Sequence, residues 1–316
     1  MKQHQRLQQL LCVATMAAIT QVGCSSIKDH ISPDRSTTVG ASGQPIDADG
    51  WSCPKNTFGS EMVLIPMADG DRYCIDSNVA TYGEYRRFVE EKGKDFSNQP
   101  PECSENKDYM PTVEYPIVGS IPFPPCGPPL DKADPDRALD CIDFCDASAF
   151  CAWAGKRLCG VRGSEPGKVM VIDKENRDAE TTNRVTAELR QSVKNEWYNA
   201  CSQGGTTKHP YGDTRQLGTC IDTKAIETLG DRAFLVGDTS NSQCHGTHHP
   251  YSRLFNMTGK IEQWINVCFG NLGCASHGGN MGDLSCAETF GIMSALYDTA
   301  GVRCCADAVP GEASKR

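Results

Sequence analysis

Cysteine usage constrains this chain more than any other feature. Eighteen cysteines occur in 316 residues. Cys12 falls in an N-terminal apolar run and Cys24 follows it, which leaves 18 − 2 = 16 for the rest. Such density in an exported chain predicts a disulfide framework. Zinc is the competing use of clustered cysteines. It is disfavoured here, because Cys141-x3-Cys145 and Cys304-Cys305 lack zinc-ribbon spacing and no CxxC occurs.

The N-terminus supplies the export signal. Residues 1–23 read as a signal peptide: Lys2 and Arg6 are basic, and the apolar run Leu10 to Ile19 is too short to span a bilayer as a helix. Val22-Gly23-Cys24 resembles a bacterial lipobox, which makes Cys24 the expected lipidation site, although Gln21 departs from the pattern. Residues 24–50, rich in Ser, Thr, Gly, Asp and Pro, read as a lipid-anchored flexible tether. Ser25 after Cys24 points to the outer membrane of the cell envelope. A globular domain is expected over 51–309 and a polar tail over 310–316. Net charge −9 and a pI of 5.3 argue against nucleic acid as a partner. The membrane contact is expected to be the lipid.

Two helices have readable mechanisms. Thr81 and Glu84 form a capping box for a helix that places Tyr82, Tyr85, Phe88 and Val89 on one face. Asp143 caps a second helix with a stripe of Ala147, Phe150, Cys151 and Ala154, ended by Gly155. Met62 to Ile65, stopped by Pro66, reads as a strand. A short helix is expected near Ala187 to Val193. Asn98 to Pro135 is proline-rich and loop-like. The fold class is therefore α+β: an irregular, loop-rich, disulfide-bonded single domain.

An ordered series of segments resembles the formylglycine-generating enzyme (sulfatase-modifying factor) family, whose fold is related to C-type lectins. The segments are Met62 to Pro66, Ala80 to Val89, Asp146 to Leu158 with its Ala-Trp-Ala-Gly-Lys-Arg-Leu block, Glu196 to Gly205 and Pro210 to Asp213. Leu254 to Trp264, Gly278-Gly279 and Gly301 to Cys304 complete it. The resemblance implies disulfides Cys151–Cys304 and Cys201–Cys286, and Cys268 with Cys274 could close a small local loop. It also implies that Trp153, Trp197 and Trp264 are core residues.

The departures bear on chemistry. The family's oxidases place a copper-binding redox pair of cysteines after the Gly-Gly turn, because Cu(I) prefers soft thiolates. Here Gly279 is followed by Asn280-Met281-Gly282-Asp283-Leu284-Ser285, and no cysteine precedes Cys286. The family's calcium turn reads Gly259-Lys260-Ile261-Glu262-Gln263-Trp264, with Lys260, whose ammonium cannot serve as an oxygen ligand, in place of a ligand asparagine and Gln263 at the glutamate position. Calcium is not expected. His245, His248 and His249 follow Cys244 and form the one histidine cluster, a weak metal candidate that a disulfide at Cys244 would reduce further, with His209 or His277 as outlying additions. Asp143 and Asp146 read as helix-start residues rather than as catalytic carboxylates.

The expected function is a non-oxidase binding or interaction module in the cell envelope, taking a protein or small ligand. The groove is expected between Asn280 to Cys286 and the loop His245 to Tyr251, with Asn280, Met281 and Asp283 as the ligand loop. The alternative is a metal-dependent oxidase of the same superfamily. It would use iron at the histidines, or copper on relocated thiols to generate formylglycine on sulfatase-type cysteines.

Overall fold

The computed structural model describes residues 38–39, 45–46, 50–112, 126–165, 168–172, 179–237, 243–259, 261–270, 273–279, 284–287, 291–293 and 300–310. Cys24, Lys260 and the expected ligand loop of Asn280, Met281 and Asp283 lie outside the described residues. The strands are β1 (Thr38–Val39), β2 (Pro45–Ile46), β3 (Trp51–Ser52), β4 (Met62–Pro66), β5 (Arg72–Asp76), β6 (Arg157–Leu158) and β7 (Met170–Val171). They continue with β8 (Gln263–Cys268), β9 (Cys274–His277), β10 (Gly291–Met293), β11 (Cys304–Asp307) and β12 (Val309–Pro310). The α-helices are α1 (Tyr82–Lys92), α2 (Phe144–Trp153), α3 (Ala179–Arg190), α4 (Glu196–Cys201) and α5 (Thr223–Leu229).

Two small four-stranded sheets organise the domain. One runs β4-β5-β11-β6, antiparallel throughout. The other runs β10-β9-β8-β7, with β7 parallel to β8. β3 pairs with β12 and so brings the two ends of the domain together. β1 and β2 pair with each other inside the stretch read as tether, so part of that stretch carries local structure.

Adjacent side chains on a strand point to opposite faces. Cys304 and Cys305 on β11 use this alternation directly. Cys304 bonds to Cys151 of α2 and joins a core with Tyr85, Phe88, Phe150 and Trp264. Cys305 bonds to Cys159 and joins a second core with Tyr73, Trp197 and Ile265. All six residues of β8 are buried. The consecutive pair therefore staples one strand to both layers.

The capped helices form for the reasons legible in their sequences. Thr81 Oγ1 accepts from the Glu84 amide at 3.3 Å, and the Thr81 amide donates to Glu84 Oε2 at 2.8 Å. Asp143 accepts from the Asp146 amide at 2.7 Å. Gly155 takes the left-handed conformation (φ +74°) that ends α2 cheaply. The helix expected at 187–193 instead spans Ala179–Arg190. Five residues beyond its end, Asn195 is extended and caps α4, accepting from the Trp197 and Tyr198 amides.

Eight disulfides close all sixteen cysteines from Cys53 to Cys305. The pairs are 53–74, 103–145, 126–141, 151–304, 159–305, 201–286, 220–244 and 268–274. Among the described residues, no helix is long and apolar enough to cross a membrane.

Candidate functional site

The turn Gly259 to Trp264 meets the turn Gly278-Gly279 through a parallel bridge between Gly259 and Gly279. Gln263 stands behind it, fully buried. Its Oε1 accepts from Trp197 Nε1 and from Arg303 Nε, both at 2.9 Å. Its Nε2 donates to the carbonyls of Asn256 and Met257. Every polar atom of this side chain is thus engaged within the protein. Arg303 is also fully buried and donates to the carbonyls of Asp76 and Phe255, and burial lowers its pKa to about 9. A glutamine fits this hub: it accepts from two donors and donates to two carbonyls without adding an anion. These residues do not fit calcium, which needs several free oxygen ligands.

Glu262 lies on the outer side of the turn. Its Oε2 accepts from Ser276 Oγ at 2.8 Å, and burial raises its carboxyl. Gly279 is required beside it, because a Cβ there would overlap Glu262 Cγ. His277 lies within, stacked on Trp197 with centroids 4.5 Å apart and planes 6° from parallel. Asn195 Nδ2 lies 2.9 Å from His277 Nε2. An amide nitrogen only donates, so Nε2 is the acceptor. His277 is thereby a core residue and not an exposed ligand.

The histidine cluster does not converge. Cys244 is bonded to Cys220, which removes the thiolate. His245 is half-buried, and its Nδ1 lies 2.7 Å from the Gly246 carbonyl. His248 and His249 are exposed. Among the described residues, no three His, Cys, Asp or Glu side chains gather as a metal site. The residues present therefore do not fit iron at this loop. Copper on thiolates does not fit either, since every domain cysteine is in a disulfide.

These elements place the chain in a family. Its residues 66–296, more than two thirds of its length, match the model of the sulfatase-modifying factor enzyme 1-like domain. The chain belongs to that family. Among solved structures it is similar to PvdO from Pseudomonas aeruginosa (13% identity, 79% of this chain and 91% of that chain, TM-score 0.42). It is also similar to CarF (14% identity, 78% of this chain and 98% of that chain, TM-score 0.39). A search of curated proteins gave no match.

Within this sulfatase-modifying-factor domain, the structure joins Cys151 to Cys304, Cys201 to Cys286 and Cys268 to Cys274. Trp197 and Trp264 are fully buried. Trp153 packs against the edge of the same core as Trp264, beside Phe88 and Phe150, but is only half-buried: it also packs on Phe58 at 4.7 Å and donates from Nε1 to Glu91 at 3.0 Å. Sequence reading did not single out Gln203, Asn195 or Ser276: the Gln203–Thr247, Asn195–His277 and Ser276–Glu262 contacts are long-range, although the Asn195 cap of α4 acts locally.

Two buried groups give the domain opposing pH responses. Burial raises Asp143 from 3.8 to about 6. The folded state then binds this proton more tightly than the unfolded chain, so stability falls as pH rises from about 4 through 6. Burial lowers His277 from 6.5 to about 3. Here the unfolded chain binds the proton more tightly, so stability falls as pH drops below 6.5. Each amounts to roughly 2–3 kcal/mol between pH 7 and pH 4, with opposite sign. Asp143→Asn keeps a good cap, and His277→Gln keeps an acceptor for Asn195. Relative to wild type, the first variant should lose stability on acidification and the second should gain it. Urea denaturation at pH 7 and pH 4 measures both, and parallel profiles would contradict the assignment.

Proposed function

We propose that the protein is an outer-membrane lipoprotein of a bacterial cell envelope, anchored through Cys24. Its sulfatase-modifying-factor domain is a binding module without thiol-oxidase chemistry. One observation carries this reading: eight disulfides close all sixteen domain cysteines, including Cys286, the first cysteine after the Gly-Gly turn. Copper-dependent oxidation needs accessible thiolates. A disulfide-locked scaffold that displays loops suits recognition instead. The ligand is a protein or small molecule of the envelope, taken by loops beside Gly279.

The test is a Cu(I) titration of the oxidised mature protein, followed by incubation with a cysteine-containing sulfatase peptide under oxygen. No stoichiometric Cu(I) binding and an unchanged peptide are expected. One tightly bound copper per chain with conversion of the peptide cysteine to an aldehyde would reverse the reading in favour of the oxidase.

A further inference from the structure

Among the described residues, Lys156 and Asp76 form an ion pair in which both side chains are shut away from water, at 1% and 3% exposure. The lysines that pair with Asp95 and Glu165, by contrast, do so at the surface. Asp76 ends β5, and Lys156 follows α2 and directly precedes β6, so the contact joins segments 80 residues apart.

The pair is held at reacting distance. Lys156 Nζ lies 2.5 Å from Asp76 Oδ1. One C–O bond separates Oδ1 from Cγ, so Nζ stands within about 3.7 Å of Cγ. That is close to the separation of a near-attack conformer. The second carboxyl oxygen is also fixed, because Oδ2 accepts from the Cys304 amide at 3.0 Å. Cys304 is bonded to Cys151, and the Lys156 amide donates to the Cys151 carbonyl at 2.8 Å. One rigid junction therefore carries both reacting groups.

Charge favours reaction as well. Burial raises the Asp76 carboxyl even beside Lys156. In a dry site, proton transfer from the ammonium to the carboxylate removes both charges together with their desolvation cost. It leaves a neutral amine against a carboxylic acid, the reactive pair for amide formation. In bulk water hydrolysis opposes that reaction. Groups held in contact react instead at an effective concentration of up to about 10⁵–10⁸ M, and burial keeps water from reversing the step.

We propose that Lys156 and Asp76 close into an intramolecular amide cross-link, a covalent staple beside the Cys151–Cys304 disulfide. The Nζ lone pair forms a bond to Cγ, and the Cγ–Oδ1 bond breaks. Two of the ammonium protons leave with Oδ1 as water, the third stays on the amide nitrogen, and nothing is oxidised or reduced. Charge developing on Oδ2 meets the Cys304 N–H already directed at it. The ion pair is the state before closure, and in either state removal of Lys156 strands the Asp76 carboxylate. Unlike the eight disulfides, this staple persists under reduction. It does not depend on whether the domain binds copper or a ligand.

Peptide mapping of the full mature protein, reduced, alkylated at every cysteine and digested with trypsin, tests the proposal. Trypsin does not cut after an acylated lysine. A branched peptide joining residues 73–86 to residues 138–157 is expected, lighter than the two separate chains by one water. Fragmentation should place the branch at Asp76 and Lys156. Asp76→Ala should abolish the branched peptide and restore cleavage after Lys156, a result that holds whether or not the variant folds. Recovery of separate peptides 73–86 and 138–156 from the wild-type protein, or loss of water located at any other pair of residues, would overturn the assignment.

Discussion

Replacing Lys156 with alanine is expected to destabilise the domain by about 3–5 kcal/mol, the usual cost of stranding one partner of a buried ion pair. Lys156 Nζ lies 2.5 Å from Asp76 Oδ1 and 3.1 Å from the Ser60 carbonyl, and both side chains are nearly inaccessible. Asp76 Oδ2 also accepts from the Cys304 amide at 3.0 Å, beside the disulfide that joins β11 to α2. Burial raises the Asp76 carboxyl even with Lys156 present. Without the lysine, Asp76 keeps the field of Arg303 but loses its direct cationic partner. Two features separate this account from simple loss of packing. The double variant Lys156→Met with Asp76→Asn should be less destabilised than Lys156→Ala, because no carboxylate is left behind. The deficit of Lys156→Ala should also shrink on acidification, as Asp76 becomes protonated. Urea midpoints of the three proteins at pH 7 and pH 5 measure both. Equal or greater loss in the double variant would contradict the ion-pair account.

The second large effect concerns disulfide span. Cys151–Cys304 separates its partners by 153 residues, whereas Cys268–Cys274 separates them by 6. The chain-entropy model gives about 5 kcal/mol for the first closure and about 2 kcal/mol for the second. All four sulfurs are buried in the same apolar core, so the packing loss on substitution by alanine is similar. Paired alanine variants should therefore differ by roughly 3 kcal/mol, with the 151–304 variant the weaker. Differential scanning calorimetry in oxidising buffer reads this difference. An equal loss would mean that native contacts, rather than restriction of the unfolded chain, set the contribution of each bridge.

Legibility in the sequence followed the range of each interaction. The caps of α1 and α2 were readable, because Thr81 with Glu84 and Asp143 with Asp146 act within three residues. β4 was readable from a short apolar run stopped by proline. The helix expected at 187–193 overlaps only the last turn of α3, which spans Ala179–Arg190. Long-range polar contacts left no local trace. Gln263 reads as a substitution in a turn motif, but Trp197 and Arg303, 66 and 40 residues away, explain it. His209 and His277 look equivalent in sequence. Their difference lies in what faces each ring: a carbonyl at Nδ1 of His209 and an amide at Nε2 of His277. The residues 245–249 read as a cluster because they are adjacent. Adjacency in a loop does not make side chains converge.

The closed cysteine framework is the centre of this account, and a free-thiol count tests it most directly. Mature protein from an oxidising compartment would be denatured without reductant, alkylated and weighed intact. Addition of no alkyl group to the sixteen domain cysteines is predicted, with each of the eight bridges recovered in non-reduced peptide maps. One or two cysteines alkylated in every molecule, and rapidly so in the native state, would contradict it and restore a thiol site to the domain.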